Sequence, residues 1–167
     1  MDSALTYQAY YTKSDPILNY MTGMLNFEPH DNILEPCGGD GVFIDKILEH
    51  NPDAHVNVFE LNPSAVVGLK EKYSNRPGIS VKETDTLLDT TIVSCSQKYD
   101  KIIGNPPYGA RNDEKKKGLL NKLYSDLYTK ESYTLFLYAC TRCLKENGEL
   151  CFIIPDTFLS LHRHLSI

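Results

Sequence analysis

Five short apolar runs recur along the chain, near residues 33, 57, 80, 102 and 152, and helical patterns fill most of the gaps between them. Strands separated by helices cannot pair as hairpins. They lie parallel in one sheet, with the intervening helices packed on its faces. The expected fold is therefore α/β, a doubly wound and largely parallel sheet. The strand patterns are Asn32–Glu35, His55–Glu60, Ile79–Val81, Tyr99–Gly104 and Glu149–Ile154. A first helical pattern starts at Pro16, with Ile17, Leu18, Met21, Met24 and Leu25 on one face. Others start at Val42 and at Pro63, and residues 86–98 read as a short helix and a loop. Leu119, Leu120, Leu123 and Leu127 suggest a short amphipathic piece within the polar residues 109–128. The strongest helix covers residues 130–146, where Tyr133, Phe136, Leu137, Cys140, Cys143 and Leu144 share a stripe and Asn147-Gly148 ends it.

At 167 residues the chain has the size of one domain. Eleven Tyr and six Phe exclude a solvating, disordered polymer. Its apolar runs fall well short of the roughly 18 residues of a membrane span, and the N-terminus lacks a leader's basic flank and apolar run. The five cysteines, Cys37, Cys95, Cys140, Cys143 and Cys151, are odd in number and read as free thiols. A reducing, cytoplasmic location with no membrane partner is expected. Cys140 and Cys143 have the spacing of a metal pair but sit in a helical pattern with no second pair. His30, His50, His55, His162 and His164 form no ligand pattern, and no metal is expected. The net charge of −5 argues weakly against a nucleic-acid partner, yet residues 111–130 hold 6 basic against 3 acidic groups. Arg111, Lys115, Lys116 and Lys117 are candidates for DNA phosphates there, with an exposed charged insert as the alternative.

In such sheets ligands bind beyond the carboxyl ends of the strands. Four features converge on that edge: Glu35 with the turn Pro36-Cys37-Gly38-Gly39-Asp40-Gly41, then Glu60, then Asp85, then Asn105-Pro106-Pro107-Tyr108. Gly39 and Gly41 let backbone approach a ligand closely. Glu60, 19 residues after Gly41, can accept from two ribose hydroxyls. A nicotinamide dinucleotide would want a third glycine where Ile44 stands, and Glu35 and Asp40 are poor company for a pyrophosphate. These carboxylates suit a ligand with hydroxyls and a cationic amine or sulfonium, which favours S-adenosylmethionine.

Asn105 to Tyr108 carry the sharpest signal. Two prolines cannot continue a central strand, so the four residues form a rigid turn at its end. The Asn105 amide oxygen and the Pro106 carbonyl can accept both hydrogens of one exocyclic amine. The Tyr108 ring can stack on the flat group that carries it.

With this turn the chain resembles the amino-methylating DNA adenine methyltransferases. The likeness is to the group with an N-terminal cofactor motif and a C-terminal target recognition domain, which includes restriction–modification enzymes. Tyr11-Thr12-Lys13 is similar to the N-terminal motif, Ile33 to Phe43 to the glycine-rich motif, and Phe59-Glu60-Leu61-Asn62-Pro63 to the ribose-binding segment. Ser132-Tyr133 to Phe136 and Gly148 to Phe158 resemble the two segments that follow the catalytic tetrapeptide. The resemblance implies a Rossmann-like methyltransferase fold and transfer of a methyl group from S-adenosylmethionine to N6 of a flipped adenine in DNA. It implies catalytic roles for Asn105, Pro106, Pro107 and Tyr108. The cofactor would be held by Tyr11, Thr12, Glu35, Cys37, Gly39, Gly41, Phe43, Glu60, Leu61, Asp85 and Asn105, with Asp85 on its adenine amine.

Residues 1–30 then correspond to the cofactor-closing segment and 31–167 to the N-terminal part of the α/β core. The family's last strands, its second aromatic clamp and its target recognition domain do not fit after Phe158. The expectation is that a second polypeptide or a further C-terminal region supplies them. Two alternatives stay open: methylation of an amine in RNA or of a protein glutamine, and a cofactor-binding fragment that needs a partner chain.

Overall fold

The computed structural model describes residues 12–108, 114–125, 127 and 131–159. In chain order these form α1 (Asp15–Gly23), β1 (Asn32–Glu35), α2 (Val42–His50), β2 (His55–Glu60), α3 (Pro63–Lys72), β3 (Ile79–Glu83), α4 (Thr90–Val93), β4 (Tyr99–Gly104), α5 (Glu114–Leu123), α6 (Ser132–Cys143), β5 (Leu144–Phe152) and a 3-10 turn (Asp156–Leu159). The five strands make one sheet in the order β3-β2-β1-β4-β5, and every pairing is parallel. The doubly wound sheet expected from the strand–helix alternation is the one that forms.

Alternation along each strand builds two cores. Ile33, Val56, Val58 and Ile103 point to the face covered by α1, α2 and α3, where they meet Leu18, Met21, Ile44 and Leu69. Leu34 and Ile102 point to the other face, against Leu120, Tyr124, Phe136 and Cys140 from α5, α6 and the residue after α5. Central strands buried on both faces explain why β1 and β4 read as continuous apolar runs rather than as alternation.

Three details depart from the expectations. In α1 and just after it, Leu18, Met21 and Leu25 are buried, but Ile17 and Met24 are 46% and 57% exposed. A nine-residue helix leaning on α2 covers a narrower stripe than the periodicity offered. The last helix ends at Cys143, short of residue 146, because Leu144 already pairs with Tyr99. The register then shifts, and pairing resumes at Lys101 with Glu149. Asn147, at φ 61°, turns the chain within that bulge, so the expected Asn-Gly turn lies inside β5 rather than before it. All five cysteines are free thiols, and Cys95, Cys140 and Cys143 lie in one core.

Candidate active site

The sheet reverses its winding between β1 and β4, and the crevice beyond the carboxyl ends of these two strands is where such folds bind ligands. Glu35 ends β1 and Gly104 ends β4. A Cβ on Gly104 would lie 2.7 Å from Glu35 Oε1, so a glycine is needed there for the carboxylate to fit. Glu35 is 1% exposed. Its Oε1 accepts the Cys37 N–H at 3.1 Å, while Oε2 is buried with no partner among the described residues. Desolvation pushes the Glu35 carboxyl up to about 8, against the Cys37 N–H and aided by the charge of Glu60. A buried carboxyl with an unused oxygen is costly unless a donor or a cation completes it. The Cys37 thiol is raised well above its ordinary range, by burial first and then by Glu35, which leaves it no nucleophilic role.

The turn after β1 is shaped by glycine. Gly39 and Gly41 have φ of 51° and 77°, and Gly41 caps α2. The space that Gly41 leaves is taken from within: the Tyr73 hydroxyl lies 2.8 Å from its carbonyl oxygen, and a Cβ would sit 2.6 Å from that hydroxyl. Gly41 therefore shapes the turn, and its open side belongs to Tyr73. Glu60, at the end of β2, ties the turn to the next helix. Its Oε2 accepts the Gly39 N–H at 2.8 Å and its Oε1 the Asn62 N–H at 2.6 Å. Each oxygen keeps a lone pair for a further donor. Leu61 beside it is exposed, whereas Phe43 is buried in the core under α2.

Asn105 follows β4. Its Nδ2 donates to Thr12 Oγ1 at 3.1 Å, across 93 residues of sequence. That bond orients the amide, and Oδ1 then faces the Tyr108 hydroxyl, which donates to it and lies 3.2 Å from the Ile153 carbonyl oxygen. The Tyr108 ring meets Tyr133 edge-on, with centroids 6.3 Å apart, and Tyr133 meets Phe158 in the same way at 6.4 Å. In this state Tyr108 covers the acceptor of Asn105 with its own hydroxyl, which must withdraw before that oxygen can accept from another donor along the same direction.

Asp85 lies just beyond β3. Its Oδ1 accepts the Leu87 N–H at 3.2 Å, and its Oδ2 is 2.5 Å from Lys116 Nζ on α5. Lys117 pairs with Glu114 at 2.7 Å on the exposed side of the same helix, and Lys115 is exposed beside them. Tyr11 and Arg111 lie outside the described residues. The structure thus gathers Thr12, Glu35, Cys37, Gly39, Glu60, Asp85, Asn105, Pro106, Pro107 and Tyr108 at or just past one edge of the sheet. It leaves Phe43 in the core and Leu61 at the surface. Sequence reasoning missed two participants and one contact. Tyr73 braces Gly41, Thr86 donates from Oγ1 to the Pro36 carbonyl at 2.6 Å, and Lys116, expected at DNA phosphate, holds Asp85. No local pattern signals contacts that span 30 to 50 residues. Among the described residues no group of His, Cys, Asp or Glu could hold a metal ion, and no helix is long and apolar enough to cross a membrane.

Residues 42–166 match the Eco57I restriction-modification methylase family. The Type II methyltransferase M.AccI of Acinetobacter calcoaceticus is 31% identical over 133 residues, covering 77% of this chain and 24% of that protein. The modification methylase CviBIII of Paramecium bursaria Chlorella virus NC1A is 36% identical over 135 residues, covering 77% and 32%. A release factor glutamine methyltransferase of Streptococcus pneumoniae is 29% identical over 134 residues, covering 75% and 46%. The chain spans about a quarter to a third of the length of the two modification enzymes. In fold it is similar to a SAM-dependent O-methyltransferase from Thermotoga maritima, with a TM-score of 0.63 at 12% identity over 99% of this chain and 53% of that one. A methyltransferase-type sheet, the convergence of its carboxyl edge and the family match agree: the chain belongs to the Eco57I restriction-modification methylase family.

Proposed function

We propose that this edge binds S-adenosylmethionine and presents an adenine of DNA for methylation at N6. The observation that carries the reading is the pair of acceptors at the switch point: the Oε2 of Glu35, without a partner among the described residues, and, across Gly104, the amide of Asn105. S-adenosylmethionine fits the residues present. Glu35, protonated in the empty site and ionised beside a cation, offers a buried carboxylate to its cationic portion, Glu60 lone pairs to its ribose hydroxyls, and Asp85 a carboxylate to its adenine amine. When bound, the cofactor supplies an activated methyl group.

The rest falls to this chain's own side chains. A target adenine leaves the duplex stack at a cost of a few kcal/mol. Tyr108 gives up the Asn105 oxygen and stacks on the base. Asn105 Oδ1 and the Pro106 carbonyl then accept the two N6 hydrogens, which leaves the nitrogen lone pair directed out of that contact. Thr12, by holding Nδ2, keeps the amide oxygen on the side of the base. Positioning and fixed dipoles carry the catalysis, with no covalent intermediate on the protein.

A glutamine amide is a second planar amine that the same acceptors can hold, and the similarity to a release factor glutamine methyltransferase favours keeping it as the competing substrate. One experiment separates them. The chain is incubated with S-adenosylmethionine and, in turn, DNA, RNA and a glutamine-bearing release-factor peptide, and each product is weighed. The reading expects N6-methyladenine in DNA and loss of at least about 100-fold in Asn105→Ala with much of cofactor binding retained. Turnover that survives Asn105→Ala, or a mass gain confined to RNA or the peptide, overturns it.

A further inference from the structure

Two residues singled out in the sequence for different ligands are bonded to each other. Asp85 was assigned to the adenine amine of the cofactor and Lys116 to DNA phosphate, yet Lys116 Nζ lies 2.5 Å from Asp85 Oδ2. Both side chains are mostly covered, at 25% and 17% exposure, so the pair is not a loose surface contact. The helix that carries it is anchored one turn further on. Leu120, four residues after Lys116, is buried beside Leu87, and the Tyr124 hydroxyl donates to the Leu87 carbonyl oxygen at 2.8 Å. Leu87 is also the residue whose N–H fixes the other oxygen of Asp85. The foot of α5 is therefore built onto the Asp85 loop, and the i to i+4 spacing sets Lys116 over the carboxylate.

An ammonium group there presents N–H donors to a carboxylate, as an adenine amine would. The Asn105 oxygen is capped in the same manner by the Tyr108 hydroxyl. We propose that Lys116 is an internal competitor for the amine-binding carboxylate. It holds Asp85 while the cofactor is absent, and it is released toward DNA phosphate when the cofactor's adenine amine takes its place. Cofactor and DNA then favour each other. The ligand at Asp85 frees a cation for the duplex, and a duplex that draws Lys116 away uncovers Asp85. By linkage the two effects are equal in size. The inference rests on the cofactor reading of Asp85 given above.

The test is calorimetric titration of the chain with S-adenosylmethionine at low and high salt, for wild type, Lys116→Ala and Lys70→Ala. Lys70→Ala removes the same charge from an exposed position on α3. Lys116→Ala is expected to bind about 3–10-fold more tightly than wild type at low salt, and the gap should close as salt screens the pair. Lys70→Ala should match wild type. A short mixed-sequence DNA duplex should tighten cofactor binding to wild type and leave Lys116→Ala unchanged. Equal or weaker binding by Lys116→Ala, with wild type saturable, overturns the competitor role while the cofactor site stands. A duplex that leaves wild-type affinity unchanged overturns the coupling. Absence of binding by every folded variant overturns the cofactor site and this inference with it.

Discussion

At the amino end of the sheet Asp100 on β4 accepts from Lys145 Nζ at 2.8 Å and from the Asn32 N–H at 2.9 Å. At the carboxyl end of the neighbouring strand Glu35 is just as much part of the sheet, yet one of its oxygens has no partner among the described residues. The amino end continues in the same manner. Lys101 pairs with Glu149 at 2.9 Å, and Glu149 also accepts from the Asn26 N–H and Nδ2. The two ends shift their acids in opposite directions. Burial works against the Asp100 charge, but Lys145 and the Asn32 amide outweigh it and hold the carboxyl below its usual range. Lys101 first, with Asn26 behind it, does the same for Glu149. Glu35, buried with no cation beside it among the described residues, goes up to about 8. One end of the sheet neutralises its acids and the other leaves a buried one incomplete, which is the pattern the proposed cofactor site would call for, at some expense of stability.

That contrast makes the pH dependence of the two ends opposite in sign. Below about 8 the folded chain keeps a proton on Glu35 that the unfolded chain loses above its ordinary 4.5. Stability therefore falls as pH rises from 4.5 to 8 and then levels off. Glu35→Gln should remove this slope. It should be nearly neutral near pH 4.5 and should stabilise the chain above pH 8 by on the order of 5 kcal/mol, read by urea denaturation across the range. Equal stability of the two proteins at high pH would erase the contrast between the ends.

Lys101→Met should act the other way. It removes the cation beneath Glu149 at a position only 9% exposed and should cost about 2 kcal/mol near neutral pH. Cofactor affinity, measured on the same protein, should not change, because the two ends are separate. A large change in affinity would show that they are not.

Asp100→Asn should have the smallest effect, about 1 kcal/mol. The depressed Asp100 contributes stability above its unfolded value of 3.8 and loses it as pH falls through the lower folded value. The difference between Asp100→Asn and wild type should accordingly shrink in acid. A difference that grows in acid would reverse the assigned direction.

The amino acid order made much of this legible because the relevant signals are local. Apolar runs marked β1, β2 and β4 to within a residue, and the two prolines after Gly104 placed Asn105 and Tyr108 at a strand's end. Glu60 was recognisable from its distance to the glycine turn. What stayed hidden depends on groups far apart in the chain. The end of α6 at Cys143 was set by pairing of Leu144 with Tyr99, which overrode a helical pattern still intact at Leu144. The glycine at position 41 looked like room for a ligand, and Tyr73 fills it. Lys116 looked like part of an exposed basic stretch, and it closes on Asp85 instead.

The central claim is that the carboxyl edge is a formed site for a cationic, hydroxyl-bearing cofactor. Calorimetric titration of the chain with S-adenosylmethionine tests it most directly. The account predicts saturable one-to-one binding. A chain with its native fold intact that gives no saturable heat would contradict it.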